Sequence, residues 1–364
     1  MPNLSRRAFA QLDGTAAAAT ALRAAPQLAV VKTVKNVRLS ANENPYGPSP
    51  LAVQAMRDAF AQVPRYPDDA VDELIAANGK SHGVSERSVL LGDGSSEILK
   101  LSAMAFTDPK RALVLADPTF EALAIAAEVE GAPIKRVPLD ASYAHDTAKM
   151  LEASRGAGLI YICNPNNPTA TITPNATLRS FIAAVPAETT ILVDEAYHHY
   201  ATSPEYSSVV DLVAKQPNLI VSRTFSKIYA LAGLRIGYCV AQEPMIRKVN
   251  AQQAWDTVNI MALVAARASL QDVPHVVENR KRNSDTKAFL KTEAERLGFT
   301  MLPSEANFVM LDLGREVKPV ITAMRANGVA VGRVFPAMPH HLRVTVGTHE
   351  EMQRFVDELA KLRA

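Results

Sequence analysis

Cysteine is nearly missing from this chain: only Cys163 and Cys239 occur in 364 residues. Both sit in or beside apolar, strand-like runs, which excludes a disulfide framework and marks them as reduced core residues. An excess of one charge is also missing. Lys and Arg number 39 against 37 Asp and Glu, a formal +2, so neither nucleic acid nor an acidic membrane surface is expected as partner. No run of eighteen apolar residues follows the first thirty, and no transmembrane helix is predicted. None of the eight histidines falls into a metal-ligand pattern, and no metal is expected; His198 and His199 are adjacent and would point to opposite faces of a strand. What is present is ordinary: 48% hydrophobic and 21% charged residues, the mixture of a globular protein. The length suits a large domain with a smaller one attached.

The first thirty residues differ in kind. Ser5-Arg6-Arg7-Ala8-Phe9 precedes an Ala-rich stretch ending near Ala24-Ala25-Pro26, the pattern of a twin-arginine export signal. Asp13 and Arg23 interrupt the apolar region, and the alternative is an N-terminal arm. The expected location is periplasmic, with cytoplasmic as the alternative.

Beyond the arm, Asn42-Glu43-Asn44-Pro45-Tyr46-Gly47-Pro48 is too rich in proline and glycine for a helix or central strand. Leu51 to Phe60 has helical spacing, and Arg65-Tyr66-Pro67-Asp68 forms a turn. From Val71 short apolar strands alternate with helices, which predicts a mostly parallel sheet covered on both faces. Every polar cluster beyond Val71 falls just after a strand. Gly92-Asp93-Gly94-Ser95-Ser96-Glu97 follows the strand Ser88–Leu91 and opens a helix. It is either a phosphate cradle of free backbone N–H groups or a simple N-cap with Ser95 or Ser96 as the capping residue. Asp117-Pro118-Thr119-Phe120 follows Ala112–Ala116. Asn164-Pro165-Asn166-Asn167-Pro168-Thr169 follows Leu159–Cys163, and Asp194-Glu195-Ala196-Tyr197 follows Ile191–Val193.

The strand Leu219-Ile220-Val221 delivers the stretch around which these clusters gather, Thr224-Phe225-Ser226-Lys227 through Arg235 to Gly237. It reaches the end of the sheet where open α/β folds bind ligands. Two hydroxyls, a lysine and a returning arginine suit an anionic cofactor with an electrophilic carbon: Thr224, Ser226 and Arg235 for a phosphate, Lys227 for a Schiff base. Taken alone, Lys227 reads as a solvated surface lysine and Arg235 as a structural ion-pair partner; the other clusters change that. Past Gly237 the sheet pattern is expected to stop. Residues from Ile246 to about Leu297 read as nearly continuous helix, interrupted near Pro274. Strands at Asn307–Leu313, Val329–Val331 and Leu342–Val346, with helices at Val317–Ala326 and Glu350–Leu362, then make a small α+β domain. Arg343 alternates with apolar neighbours and points either into a cleft or outward.

Collected in order, these segments, with Ala306-Asn307-Phe308 and Leu342-Arg343-Val344-Thr345-Val346-Gly347, resemble the fold-type I pyridoxal-phosphate enzymes, and among them the histidinol-phosphate aminotransferase-like class I/II aminotransferases. The resemblance runs from about Asn42 to the C-terminus. It implies a seven-stranded, mostly parallel sheet with helices on both faces and a small C-terminal α+β domain. With the N-terminal pattern added, the expected layout is 1–30 signal or arm, 31–62 N-terminal arm and part of the small domain, 63–265 large cofactor domain, 266–364 small domain. It implies pyridoxal 5'-phosphate as cofactor, an amino acid or amine and a 2-oxo acid as substrates, and a homodimer in which Tyr66 reaches the neighbouring active site; read alone, Tyr66 is a packing residue. Lys227 would carry the Schiff base and the proton, Asp194 would face the ring nitrogen, and Tyr197 and Asn167 the ring oxygen. Phe120 would stack on the ring, or simply pack in the core. Ser95, Ser96, Thr224, Ser226 and Arg235 would hold the phosphate, while Arg343 and Asn44 would meet the substrate. The implied activity is amino transfer; decarboxylation or oxidation on the same scaffold is the alternative. Ala170 stands where the family usually carries glycine, and is expected to be tolerable if φ there is negative. Gly332-Arg333-Val334-Phe335-Pro336 departs from the histidinol-phosphate pattern, leaving Arg333 a weak candidate for a second anion contact.

Overall fold

The computed structural model describes residues 36–362, and the twin-arginine pattern lies outside the described residues. The strands are short, apolar and rich in Val, Ile and Leu, as strands buried on both faces must be. In chain order the large sheet takes β2 (Val89–Gly92), β3 (Ala112–Asp117), β4 (Ile134–Pro138), β5 (Ala157–Cys163), β6 (Thr190–Asp194), β7 (Leu219–Thr224) and β8 (Gly237–Ala241). The first strand, β1 (Val37–Leu39), belongs elsewhere. The spatial order is β2-β8-β7-β6-β5-β3-β4, and only β8 runs antiparallel to its neighbours. This corrects the expectation that the sheet ends at Gly237. Gly237-Tyr238-Cys239-Val240-Ala241 is apolar and strand-like, but it follows the Arg235 turn too closely to announce itself as part of the sheet.

Side-chain alternation divides the sheet between two cores. Ile160, Ile162, Ile191, Val193, Leu219 and Val221 face one side, while Leu159, Tyr161, Leu192 and Ile220 face the other. Helices α1 (Pro50–Ala59), α2 (Asp68–His82), α3 (Ser95–Phe106), α4 (Ala122–Val129), α5 (Thr147–Ala153) and α6 (Asn175–Ala184) supply much of the cover.

The region read as one broken helix is three: α7 (Glu243–Asn250), α8 (Ile260–Gln271) and α9 (Val273–Arg296). The main gap falls at 251–259, and Pro274 instead sits in the first turn of α9, where its missing N–H costs nothing. The adjacent His198 and His199 lie in a one-turn 3-10 helix. The C-terminal part has a sheet ordered β12 (His341–Thr345), β10 (Phe308–Asp312), β9 (Thr300–Met301) and a parallel pair of β1 with β11 (Val329–Val331). With α10 (Val317–Ala326) and α11 (His349–Lys361), these elements enclose a third core around Leu39, Val309, Leu311, Val344 and Phe355.

Ala170 does adopt positive φ, +64°, and is fully buried. An L-residue there costs about 1–2 kcal/mol, partly offset by burying its methyl, roughly 0.8 kcal/mol. The expected condition of negative φ therefore fails, although the position is filled.

Candidate functional site

Strands β2, β3, β5, β6 and β7 end on one side of the sheet, and the polar clusters that follow them line a cavity of about 340 Å³. One end of it is built by α3. Gly94 precedes the helix at φ +77° and no side chain caps its first turn. Ser95 and Ser96 are therefore the first helical residues, and the capping alternative falls. Uncapped N–H groups and the helix dipole favour an anion. Arg235 reaches the same point: its Nη2 donates to Ser96 Oγ at 3.1 Å and to the Asp93 carbonyl at 3.4 Å. A Cβ on Gly94 would sit 2.1 Å from that nitrogen, and one on Gly237 2.3 Å from the Ser95 nitrogen, so both positions must be bare for strand, helix and guanidinium to meet. Thr224 and Ser226 add hydroxyls at the end of β7, with Ser226 N–H donating to Thr224 Oγ1 at 3.0 Å. Gly94→Ala is expected to displace Arg235 and weaken binding of a phosphate-bearing cofactor at least about tenfold, the loss of one charge-assisted contact. Equilibrium dialysis of the cofactor-free protein measures it.

Asp194 closes the other end. It is 2% exposed, and burial lifts its pKa to about 6 against hydrogen bonds from Tyr161 Oη (3.0 Å) and Ala196 N–H (3.1 Å). Lys227 lines the same cavity. Burial, with the Arg343 charge adding to it, pushes its pKa down to about 8, and its ammonium donates to the Asn42 carbonyl at 3.0 Å. It is not a solvated surface lysine. The Tyr197 hydroxyl accepts from Asn42 Nδ2 at 3.1 Å and Asn167 Nδ2 at 3.5 Å, and burial drives its pKa well up. Phe120 lines the wall while 38% exposed, so it is a wall residue and not core packing.

Arg343 turns into the cavity. It donates to Asn167 Oδ1 at 2.7 Å and to the Ser40 carbonyl at 2.9 Å, and its guanidinium lies over Phe335 and Phe308. Asn44 does not join it. Its amide donates to the Ile228 carbonyl at 2.9 Å and its oxygen accepts from Tyr46 N–H, so both ends are spent on the loop, and it lines an adjacent cavity instead. The asparagine that reaches the site is Asn42, at φ +54° and 2% exposed. It is tied to Tyr197, Lys227, Thr345 and Asn307. Tyr66 is 78% exposed and lies outside this chain's own cavity.

Beneath the site a second pair escaped the sequence reading. Arg223 bonds Glu195 through Nε (3.0 Å) and Nη2 (2.8 Å), with side chains 7% and 2% exposed. Ser208 and the Val209 N–H complete the carboxylate's partners. The pair joins the ends of β6 and β7 next to Asp194 and Thr224. Nothing local links residues 28 positions apart, so no sequence signal pointed to it.

An uncapped helix N-terminus with an arginine suits a phosphate. A buried carboxylate suits a ring nitrogen, a tyrosine with two asparagines suits a ring oxygen, and a lysine of lowered pKa suits an aldehyde carbon. The donor set fits pyridoxal phosphate, and fold and site together define a pyridoxal-phosphate enzyme of fold type I. Residues 34–359 match the family model for aminotransferase class I and II. A histidinol-phosphate aminotransferase of Moorella thermoacetica is 40% identical over 90% of this chain and 86% of its own length; one of Symbiobacterium thermophilum is 41% identical over 89% of each. The crystal structure of a putative histidinol-phosphate aminotransferase from Erwinia carotovora atroseptica superposes with a TM-score of 0.87 at 33% identity, covering 90% of this chain and 96% of that one. That of the Sinorhizobium meliloti histidinol-phosphate aminotransferase in complex with pyridoxal-5'-phosphate gives 0.85 at 25% identity, over 90% of each chain. The chain belongs to the class I and II aminotransferases. It is a pyridoxal-phosphate-dependent transaminase.

Proposed function

We propose that this transaminase moves an amino group between a histidinol-phosphate-like amine, or an amino acid, and a 2-oxo acid, with Lys227 as the catalytic amine. The observation that carries the reading is a lysine pushed to about pKa 8 in a cavity that also holds buried Asp194 and the inward-turned Arg343. When bound, pyridoxal phosphate supplies an electron sink for the pair left as the substrate Cα–H bond breaks. The residues do the rest. The α3 N-terminus, Ser95, Ser96, Thr224, Ser226 and Arg235 would hold the phosphate, and Asp194 would present a carboxylate to the ring nitrogen. Tyr197, with Asn167 and Asn42 behind it, would hydrogen-bond the ring oxygen, and Phe120 would form the wall beside the ring. Lys227 Nζ takes the proton from the donor's Cα, for which it must be neutral; a pKa near 8 keeps a useful fraction so at neutral pH. Arg343 would grip the donor's anion, a carboxylate borne directly on Cα or a phosphate ester on the neighbouring carbon, since a guanidinium holds either through two bonds.

The names of the relatives support histidinol phosphate as a member of the donor class. The exposed Tyr66 supports the homodimer in which it reaches a neighbouring cavity, and the Ser5-Arg6-Arg7 pattern supports export. Cell fractionation and sedimentation test the latter two. For the activity itself, kcat/KM is measured for histidinol phosphate, an aromatic amino acid, arginine and glutamate, each with a 2-oxo acid acceptor. One class of donor is expected to lead, and Arg343→Gln is expected to raise KM for it at least about tenfold, the loss of a charge-assisted pair. Equal KM values in wild type and variant would remove Arg343 from substrate binding.

A further inference from the structure

The small-domain segment that departs from the histidinol-phosphate pattern lies beside the substrate end of the cavity. Phe335 is the contact between them: the Arg343 guanidinium lies 5.1 Å from its ring centre and the Arg333 guanidinium 4.5 Å. Two cations therefore share one ring. Their situations differ. Arg343 bonds only neutral oxygens, the Asn167 amide and the Ser40 carbonyl, and no carboxylate pairs with it among the described residues. Arg333 is paired, its Nη2 lying 2.5 Å from Glu121 Oε2. Glu121 directly follows Phe120, the residue in the cavity wall. The carboxylate and the aromatic wall thus arrive on the same loop after β3.

Arg343 and Arg333 bring two positive charges and Glu121 removes one, so one guanidinium is left for a substrate anion. The donor's anion uses it. What remains beyond Arg343 is a neutral ion pair beside the Phe120 ring, which is 38% exposed and lines the cavity, a surface that suits an aromatic or apolar group; Phe335 is buried beneath the two guanidinia and offers no free face. A second anion there would have to take Arg333 from Glu121 and would meet the displaced carboxylate as a like charge.

We propose that Glu121 is a specificity residue: by holding Arg333 in an ion pair it keeps the outer end of the site neutral, so that the enzyme selects substrates with one anionic group and an uncharged, ring-bearing far end over those with a second anion. This rests on the reading of Arg343 as the anion clamp. It gives the departing Gly332–Phe335 segment a role, and it narrows the donor class to ring-bearing amines, histidinol phosphate among them.

The test uses two substrate-shaped acids without an amino group, 3-phenylpropionate and glutarate, titrated calorimetrically into the cofactor-loaded protein. Wild type is expected to bind 3-phenylpropionate more tightly. Glu121→Gln frees Arg333 and is expected to shift the ratio of the two dissociation constants about fivefold toward glutarate, the size of a half-exposed charge contact. Arg333→Gln leaves the carboxylate alone and is expected to shift it the other way. The double variant is neutral again and is expected to return to the wild-type ratio, which a merely structural role for either residue would not produce. Both side chains are about half exposed (52% and 48%), so the variants are expected to keep the wild-type melting temperature. An unchanged ratio in Glu121→Gln, with both acids still bound, overturns the proposal. Failure of wild type to bind either acid, or binding that survives Arg343→Gln, overturns the clamp on which it rests.

Discussion

Lys227→Ala, loaded with pyridoxal phosphate, is expected to transaminate at least ~10⁴-fold more slowly than wild type, the scale of losing both a nucleophile and a positioned proton carrier. The phosphate cradle is untouched by this change, so the cofactor is still expected to bind, but only through non-covalent contacts, and to be removed by dialysis. Lys227→Arg sharpens the point. It keeps a positive charge near the Asn42 carbonyl, where Lys227 now donates at 3.0 Å, yet a guanidinium does not become neutral in the working pH range. An equal loss in both variants assigns the function to the neutral amine and not to the charge. The lowered pKa has its own signature. Desolvation by burial favours the neutral form and outweighs the pull of Glu43 and Asp194. In the cofactor-free protein the acylation rate of Lys227 by a small anhydride, which releases a carboxylate as it acylates Nζ, followed by peptide mass spectrometry, is expected to rise with pH to half its limit near pH 8. A midpoint near 10, where a solvated lysine titrates, would contradict the burial argument.

Asp194→Asn is expected to separate stability from catalysis. The shape is kept: the amide oxygen accepts from the Ala196 N–H, and the Tyr161 hydroxyl can turn from donating to accepting. What is lost is the negative charge at the end of β6. A preorganised charge facing a reacting system is worth about 10²–10³ in rate, and transamination is expected to fall by that factor while cofactor binding weakens. Stability is expected to move the other way. Burial raises the Asp194 pKa from 3.8 to about 6 in the folded state. A carboxyl shifted upward favours folding fully below about pH 4, and that contribution is lost as the pH rises through about 6. At pH 7.5 the ionised group is therefore a net cost, roughly 3 kcal/mol as an upper bound, and the cofactor-free asparagine variant is expected to melt at or above the wild-type temperature. A variant that melts well below wild type at pH 7.5 and equally at pH 5 would mean that Asp194 is chiefly a structural group.

Most of the large domain was legible because its signals are local. Apolar runs of four to seven residues ending in Gly, Asn or Asp mark parallel strands and the loops after them, and the clusters around Ser95, Asn167, Asp194 and Lys227 stand where those strands end. What was not legible depends on distant partners. The strand-like run at Cys239 was visible, but hydropathy does not say which strands it pairs with, so its place as antiparallel β8 between β2 and β7 was not. Asn42 and Asn44 sit two apart in a loop without periodicity. Only Tyr197, Thr345 and Asn307, far along the chain, select Asn42. The positive φ of Ala170 is set by its surroundings, with its N–H on the Asn166 carbonyl and its own carbonyl accepting from Glu305 N–H. Glu195 was visible only as the neighbour of Asp194, and its pairing with Arg223 needs two strands side by side.

The most direct measurement mixes cofactor-loaded protein with a single amine donor and no oxo acid, then quenches and quantifies the cofactor and the donor product. One equivalent of pyridoxamine phosphate and one of the matching oxo or aldehyde product per subunit are expected, with none in Lys227→Ala. Cofactor recovered wholly as pyridoxal phosphate while carbon dioxide is released or oxygen consumed would contradict transamination and establish decarboxylation or oxidation instead.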